Sequence, residues 1–404
     1  MFYGLSALSA VLLFAGLTAL LPARRGVLAA LAYPVGWIAG ELCYYALLLE
    51  VAVLAYYFLH DTPSGWHVGV AIALGTAVVV VEGVLVGALL RARGVVARAL
   101  RTHERPLDLD GRERVGSWLK SATLISLHPR DLQRSTNIAY GAHRRHRLDV
   151  WRRATTPADA PVIFYLHGGA WTFGDKREQG RPMLHEFVAR GWVVVTANYR
   201  LAPRDPWPAQ IQDVTRALAW VKTNVANYGG DPARVVVSGG SAGGHLAALL
   251  ALTSEDPTWR PDDVDVADWA LAGAIPFYGV LEMTGDERFW RGLWAGIRRL
   301  LEHRVVQVPL EGHEDLYESL SPLSRIHADA PPFLVVQGVV DTLVDVNVAR
   351  GFVERFREVA RSPIYYVELP LTQHAYDVTA SARTSATTRA AIAFAGSVVA
   401  RRGE

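Results

Sequence analysis

The chain has 404 residues, 51% of them hydrophobic, enough for more than one domain or for one large domain with an appendage. Its 41 basic and 39 acidic residues leave a net charge of +2, so no global field favours nucleic acid. Cys43 is the only cysteine, which excludes an internal disulfide and a thiolate metal cluster.

Residues Phe2 to Leu21 are apolar and uncharged, and Pro22-Ala23-Arg24-Arg25 closes them. About twenty such residues match the thickness of a bilayer core. The arginines follow the apolar run instead of preceding it, which predicts an uncleaved transmembrane helix over 2–21. Gly26 to Leu59 is a second apolar stretch, too long for one straight span. Pro34 is expected to break it, leaving a membrane helix over 35–59. After the polar turn from His60 to Gly65, a third span is predicted over 68–90, so that residues 1–91 form a transmembrane region.

Three carboxylates lie in or near these spans. With no basic residue inside the spans, Glu41 and Glu50 are expected near opposite interfaces, and Glu82 protonated or paired between helices. Arg24 and Arg25 flank the first junction, while Arg91, Arg93, Arg98, Arg101 and Arg105 follow the third span. By the positive-inside rule the amino terminus lies outside and everything after Leu90 is cytoplasmic. Beside a membrane helix, that arginine cluster is expected to meet anionic membrane lipids.

Residues 92–137 read as linker and covering helices, with Val95, Val96, Leu100, Trp118, Leu119 and Leu124 as the apolar positions. Then the period changes. Ile138–Gly141 and His146–Trp151 alternate like a hairpin, and Val162–Leu166 is continuously apolar, as a buried central strand should be. Trp192–Ala197 is the next strand, a helix is predicted from Ile211 to Tyr228, and a further strand leads into Ser238. Later strands are expected at Leu271–Phe277, Phe333–Gln337 and Ile364–Leu369, with helices at Val346–Val359 and Thr384–Val399. Strands alternating with helices imply an α/β fold over 138–404, a mostly parallel sheet with helices on both faces.

Val235-Val236-Val237 followed by Gly239-Gly240-Ser241-Ala242-Gly243 reads as strand, tight turn and helix, with Ser241 at the apex. This is the arrangement of a nucleophile elbow, whose glycines let neighbouring backbone pass close by. His167-Gly168-Gly169 follows the central strand. Acyl transfer develops charge on a carbonyl oxygen, and the amides of Gly168, Gly169 and Ala242 are the candidate oxyanion donors.

A serine hydroxyl needs a base, and the base an orienting acid. Asp341 follows the strand at 333–337 and His374 follows the strand at 364–369, both at the edge of the sheet where the elbow lies. Ser241, Asp341 and His374 are therefore the candidate catalytic residues. Asp345 reads as part of a helix start and Asp377 as a cap of the terminal helix, while His167 and His245 read as braces for backbone. His185-Glu186 and His313-Glu314 lack the second histidine of a zinc motif, so no metal site is expected.

Four ordered motifs carry a family resemblance: His167-Gly-Gly-Ala-Trp171, Asn198-Tyr-Arg-Leu-Ala-Pro203, Gly229-Gly-Asp-Pro232 and Gly239-Gly-Ser-Ala-Gly-Gly244. The chain resembles the hormone-sensitive-lipase (arylacetamide deacetylase-like) branch of the α/β-hydrolases, and its anchored part resembles the Lip-type carboxylesterases of mycobacteria and related actinobacteria. The resemblance implies a serine carboxylesterase or lipase of the bacterial inner membrane. It would act on a lipophilic ester through an acyl-serine, with Ser241, Asp341 and His374 as triad and no cofactor. Two positions depart from the family's pattern: Gly240 stands where an acidic residue often precedes the serine, and Asp341-Thr342-Leu343 replaces Asp-Pro-Leu. Alternatives are a prenylcysteine-type methylesterase, an amide deacetylase, or a non-catalytic hydrolase-fold binding protein.

Between Tyr278 and Ser321, about residues 279–320, the strand-helix alternation lapses in an expected insertion. Phe289, Trp290, Leu293, Trp294, Ile297, Leu300 and Leu301 recur there at helical spacing. Two readings stand: a core helix packed on the sheet, or an amphipathic cover whose tryptophans rest at a membrane surface.

Overall fold

A computed structural model describes residues 2–23, 27–60, 66–107, 109, 129–261, 263–264, 266–290 and 293–400. Trp118, Leu119 and Leu124, the turn at 61–65, and Arg24 and Arg25 lie outside the described residues.

Three apolar helices come first: α1 (Phe2–Leu20), α2 (Val27–His60) and α3 (Trp66–Arg101). All three pack on one another. By length and composition, Ala32–Tyr56 of α2 and Trp66–Arg101 of α3 suffice to cross a membrane. Pro34 does not divide the second stretch, for α2 runs through it without a break. The missing amide removes one helical hydrogen bond, and packing against α1 and α3 holds the helix together across that gap. Nor does the third helix end at Leu90. Its buried stripe continues at helical spacing through Ala92, Val96 and Leu100, which sit under the sheet with Ile163, Val194 and Phe394. Arg91, Arg93, Arg98 and Arg101 point away from that stripe and are exposed.

The carboxylates of these helices, Glu41, Glu50 and Glu82, are buried within the protein. Glu41 has a cationic partner after all, Arg383, contributed from far along the chain. Glu50 accepts a hydrogen bond from Ser9 at 2.8 Å and lies against Gly75 of α3, while Glu82 lies against Gly16 of α1.

The rest of the fold is strands β1 (Leu132–Ala139), β2 (Arg147–Arg153) and β3 (Ala160–Leu166), helix α4 (Arg181–Ala189), strand β4 (Val193–Ala197) and helix α5 (Ala209–Asn224). Then come β5 (Gly230–Gly240), α6 (Ala242–Thr253), β6 (Gly273–Phe277), α7 (Trp294–Leu300) and α8 (Glu314–Leu320). β7 (Phe333–Gly338), α9 (Val346–Val359), β8 (Ile364–Leu369) and α10 (Ala382–Ala400) complete it. The eight strands form one sheet in the order β1-β2-β4-β3-β5-β6-β7-β8. β1, β2 and β4 pair antiparallel, and every pairing from β4 to β8 is parallel.

Side chains alternate between the two faces of the sheet. Val162, Phe164, Leu166, Val235 and Val237 face the layer of α5, α6 and α9, whereas Ile163, Tyr165 and Val236 face α4, α10 and the end of α3. Parallel strands covered on both faces read as continuous apolar runs, which is why β3 and β5 are legible in sequence. The carboxyl ends of β3, β5, β7 and β8 share one edge of the sheet, where the candidate residues follow.

In the insertion, Trp290 is buried and its indole N–H donates to Glu282 at 2.5 Å. Leu293, Trp294, Ile297 and Leu300 are partly buried against the main core. Trp290 therefore belongs to the interior and does not rest at a surface.

Candidate active site

The turn from β5 into α6 is held in a strained shape. Ser241 has φ 57° and ψ −121°, a conformation that costs a non-glycine residue about 1–3 kcal/mol. The Ser241 amide donates to Phe277 O at 2.9 Å, fixing the apex to the end of β6. A Cβ on Gly243 would stand 2.1 Å from Leu166 O, so only glycine lets α6 start this close to β3.

Asp341 and His374 meet. Nδ1 of His374 lies 2.7 Å from Asp341 Oδ2, and both side chains are buried. The aspartate also accepts the amides of Leu343 and Val344 at 2.8 and 2.9 Å and the Gln337 side-chain amide at 3.0 Å. Against these donors the carboxylate leaves Nδ1 of the imidazole protonated, so Nε2 carries the free lone pair. No hydrogen bond joins Ser241 Oγ to His374 among the described residues. Such contacts often form only with substrate bound.

Gln373, to which the sequence motifs assign no role, couples the two loops. Its Oε1 accepts the amides of Thr342 and His374 at 2.8 and 2.9 Å. Tyr278, at the end of β6, sets its ring 4.6 Å from the His374 imidazole, centroid to centroid.

The Gly168-Gly169 turn lies beside the serine, since a Cβ on Gly168 would stand 3.2 Å from Ser241 Cβ. The three candidate amides are not equivalent. Gly168 N–H already donates to Gln179 Oε1 at 2.7 Å. No acceptor meets the amides of Gly169 and Ala242 among the described residues. Gly169 has φ 117°, and a Cβ there would stand 2.1 Å from Phe173 O.

The motif histidines brace this edge. His167 stacks on Tyr199 with centroids 4.3 Å apart, and Tyr199 donates to His167 O at 2.8 Å. His245 accepts the Trp171 indole N–H at 3.1 Å on Nδ1, so Nε2 donates to Leu320 O at 2.8 Å. Burial lowers the pKa of each to about 4, which keeps both neutral and out of proton traffic. Asp345 caps α9 by accepting the Asn347 amide.

Asp377 does not cap α10. Ser381 Oγ takes that place, accepting the Thr384 amide at 3.2 Å. Asp377 is buried and accepts the Tyr278 hydroxyl proton; burial raises its pKa to about 6, although that hydrogen bond pulls the other way. No local signal marks this contact, because the two residues lie 99 positions apart.

A family model described as BD-FAE matches residues 148–356. The chain belongs to this α/β-hydrolase family. Similarity extends to the probable carboxylic ester hydrolase LipM of Mycobacterium tuberculosis, 44% identical over 274 residues, 67% of this chain and 63% of that protein. Esterase LipQ of the same organism is 37% identical over 324 residues, covering 80% of this chain and 76% of LipQ. Among solved structures, esterase B of Lactobacillus rhamnosis superposes with a TM-score of 0.57 at 19% identity, over 77% of this chain and 96% of that one. That last likeness speaks for the α/β-hydrolase fold alone. The family match ends before β8, so His374 lies beyond it.

Proposed function

We propose that this chain is a membrane-anchored serine carboxylesterase that hydrolyses a lipophilic carboxylic ester through an acyl-serine. Ser241 Oγ attacks the ester carbonyl carbon while Nε2 of His374 takes its proton, and Asp341 steadies the imidazolium that results. The oxyanion of the tetrahedral intermediate is held by the amides of Gly169 and Ala242. Gly168 shapes the turn through Gln179, and its amide joins only if Gln179 moves aside. Collapse expels the alcohol, which takes the proton back from His374. Water then attacks the acyl-serine with the same base, releasing the acid and restoring Ser241.

The observation that carries this reading is the buried 2.7 Å contact between His374 Nδ1 and Asp341 Oδ2, at the sheet edge where Ser241 occupies its strained elbow. Ser241→Ala in purified full-length protein tests it. Turnover of an aryl ester is expected to fall on the order of 10⁶-fold with folding intact, and labelling by a fluorophosphonate should vanish.

Residues 1–91 serve in this reading as the anchor, with the amino terminus outside and the hydrolase domain, 138–404, in the cytoplasm. The apolar length of α2 and α3 and the exposed arginines at the end of α3 support it. A reporter active only in the cytoplasm, fused after Glu404, is expected to work. Activity of an outside-only reporter at that position would reverse the topology.

A further inference from the structure

One face of α2 runs along the loop that carries His374. Tyr33, Gly36, Trp37, Gly40 and Glu41 recur three and four residues apart, on one side of the helix. The Tyr33 ring stands edge-on to the His374 imidazole, centroids 6.0 Å apart. Gly36 leaves room for Gln373, whose Nε2 points to Ala32 O at 3.5 Å. Trp37 Nε1 donates to Ala375 O at 3.1 Å. Arg383, at the start of α10, donates to Gly40 O at 2.8 Å and pairs with Glu41 at 2.6 Å. It also reaches back to Leu371 O at 3.0 Å.

This loop needs fastening. Leu371 and Ala375, on either side of His374, have φ values of 47° and 55°. Left-handed backbone costs such residues on the order of 1–3 kcal/mol and persists only where the surroundings over-determine it. The carbonyls of these same two residues receive the hydrogen bonds of Arg383 and Trp37. The imidazole itself meets two rings edge-on, Tyr278 from the sheet and Tyr33 from α2.

We infer that α2 is a working part of the active site, in which Trp37 and Tyr33 act as positioning residues that hold the His374 loop against Asp341. The proposal rests on the reading of His374 as general base. Turnover then depends on the apolar helices as well as on the hydrolase sheet, and the helices are more than an anchor.

The test uses the full chain in detergent micelles, with turnover of a short-chain aryl ester expressed per serine titrated to completion by a fluorophosphonate. That normalisation removes misfolded protein from the count. Trp37→Phe keeps the aromatic bulk and removes the donor. Its kcat is expected to fall on the order of 10²-fold, the loss that a displacement of about 1 Å brings, with KM unchanged. Tyr33→Leu is expected to lower kcat in the same way. Trp66 is 78% exposed at the start of α3, and Trp66→Phe should leave kcat at the wild-type value. Wild-type kcat in both Trp37→Phe and Tyr33→Leu would overturn the proposal, as would a rise in KM at constant kcat. Wild-type turnover by Ser241→Ala would instead sink the esterase reading beneath it, a separate result.

Discussion

Arg383 and Glu41 form an ion pair at 2.6 Å with side chains 1% and 3% exposed, joining the last helix of the hydrolase fold to the second apolar helix. A buried pair of this kind gains little over a well-packed apolar contact, because both charges lose their hydration. Removing one partner is another matter, since the survivor stays buried without compensation.

Glu41→Ala is therefore expected to destabilise the protein by about 3–5 kcal/mol, read as a large drop in melting temperature in micelles. Replacing both residues by methionine should recover most of that loss. If Glu41→Ala melts like the wild type, the pair does not join the two parts in solution.

Asp377 gives a pH-dependent signature. Burial holds its pKa near 6 in the folded chain, above the ordinary 3.8 that the unfolded chain retains. The folded state binds the extra proton between those values, so the stability that Asp377 contributes is fully present below pH 3.8 and is lost as pH rises through 6. The gap between the two values corresponds to about 3 kcal/mol at most. Asp377→Asn keeps an acceptor for Tyr278 and removes the titration. The variant should gain stability on the wild type as pH is raised from 4 to 7, followed by chemical denaturation. Parallel pH curves for the two proteins would refute the assignment.

Local pattern carried the sheet further than it carried the site's surroundings. α9 and β8 span the residues predicted for them, because Asp345 caps the one and apolar alternation marks the other. The order of motifs likewise put Asp341 and His374 at neighbouring strand ends, and the structure brings them within hydrogen-bonding distance. What periodicity does not register is contact between distant segments. Arg383 lies just before the helix expected at Thr384–Val399 and carries no local signal of its role, because its partner lies 342 positions away. Asp377 resembles a cap because only its immediate neighbours are visible in sequence. Pro34 reads as a break because the helices that support α2 across it are invisible in its own stretch. The arginines after Leu90 read as the end of the span, so Val96 and Leu100 are assigned to separate covering helices instead of to the continuation of α3 under the sheet.

In the insertion, Glu282 is fully buried and its carboxylate accepts the amides of Thr284 and Gly285 along with the Trp290 indole N–H. A buried carboxylate that loses one donor bears part of its desolvation cost again, about 1–3 kcal/mol. Trp290→Phe should lower the melting temperature accordingly. It should also reduce turnover of soluble and membrane-dissolved esters alike, because the residue is interior. A selective loss on the membrane-dissolved ester, at unchanged melting temperature, would restore the surface reading of this segment.

Gly240 precedes the serine where related hydrolases often carry an acidic residue, and the structure gives the reason. A Cβ at this position would stand 2.6 Å from the Tyr278 hydroxyl and 3.0 Å from its ring. Tyr278 cannot yield, being fully buried and hydrogen-bonded to Asp377. The space beside the elbow is thus taken by a tyrosine whose hydroxyl leads to a buried carboxylate from another loop. Gly240→Ala is expected to cost about 1–3 kcal/mol through overpacking, and more than an alanine at an exposed helix position such as Gly83. Adding Tyr278→Ala should relieve the clash, so that the double variant is more stable than the sum of the two single losses predicts. Additive losses in this cycle would mean that residue 240 and Tyr278 do not compete for the same space, and the absence of the acidic residue would need another cause.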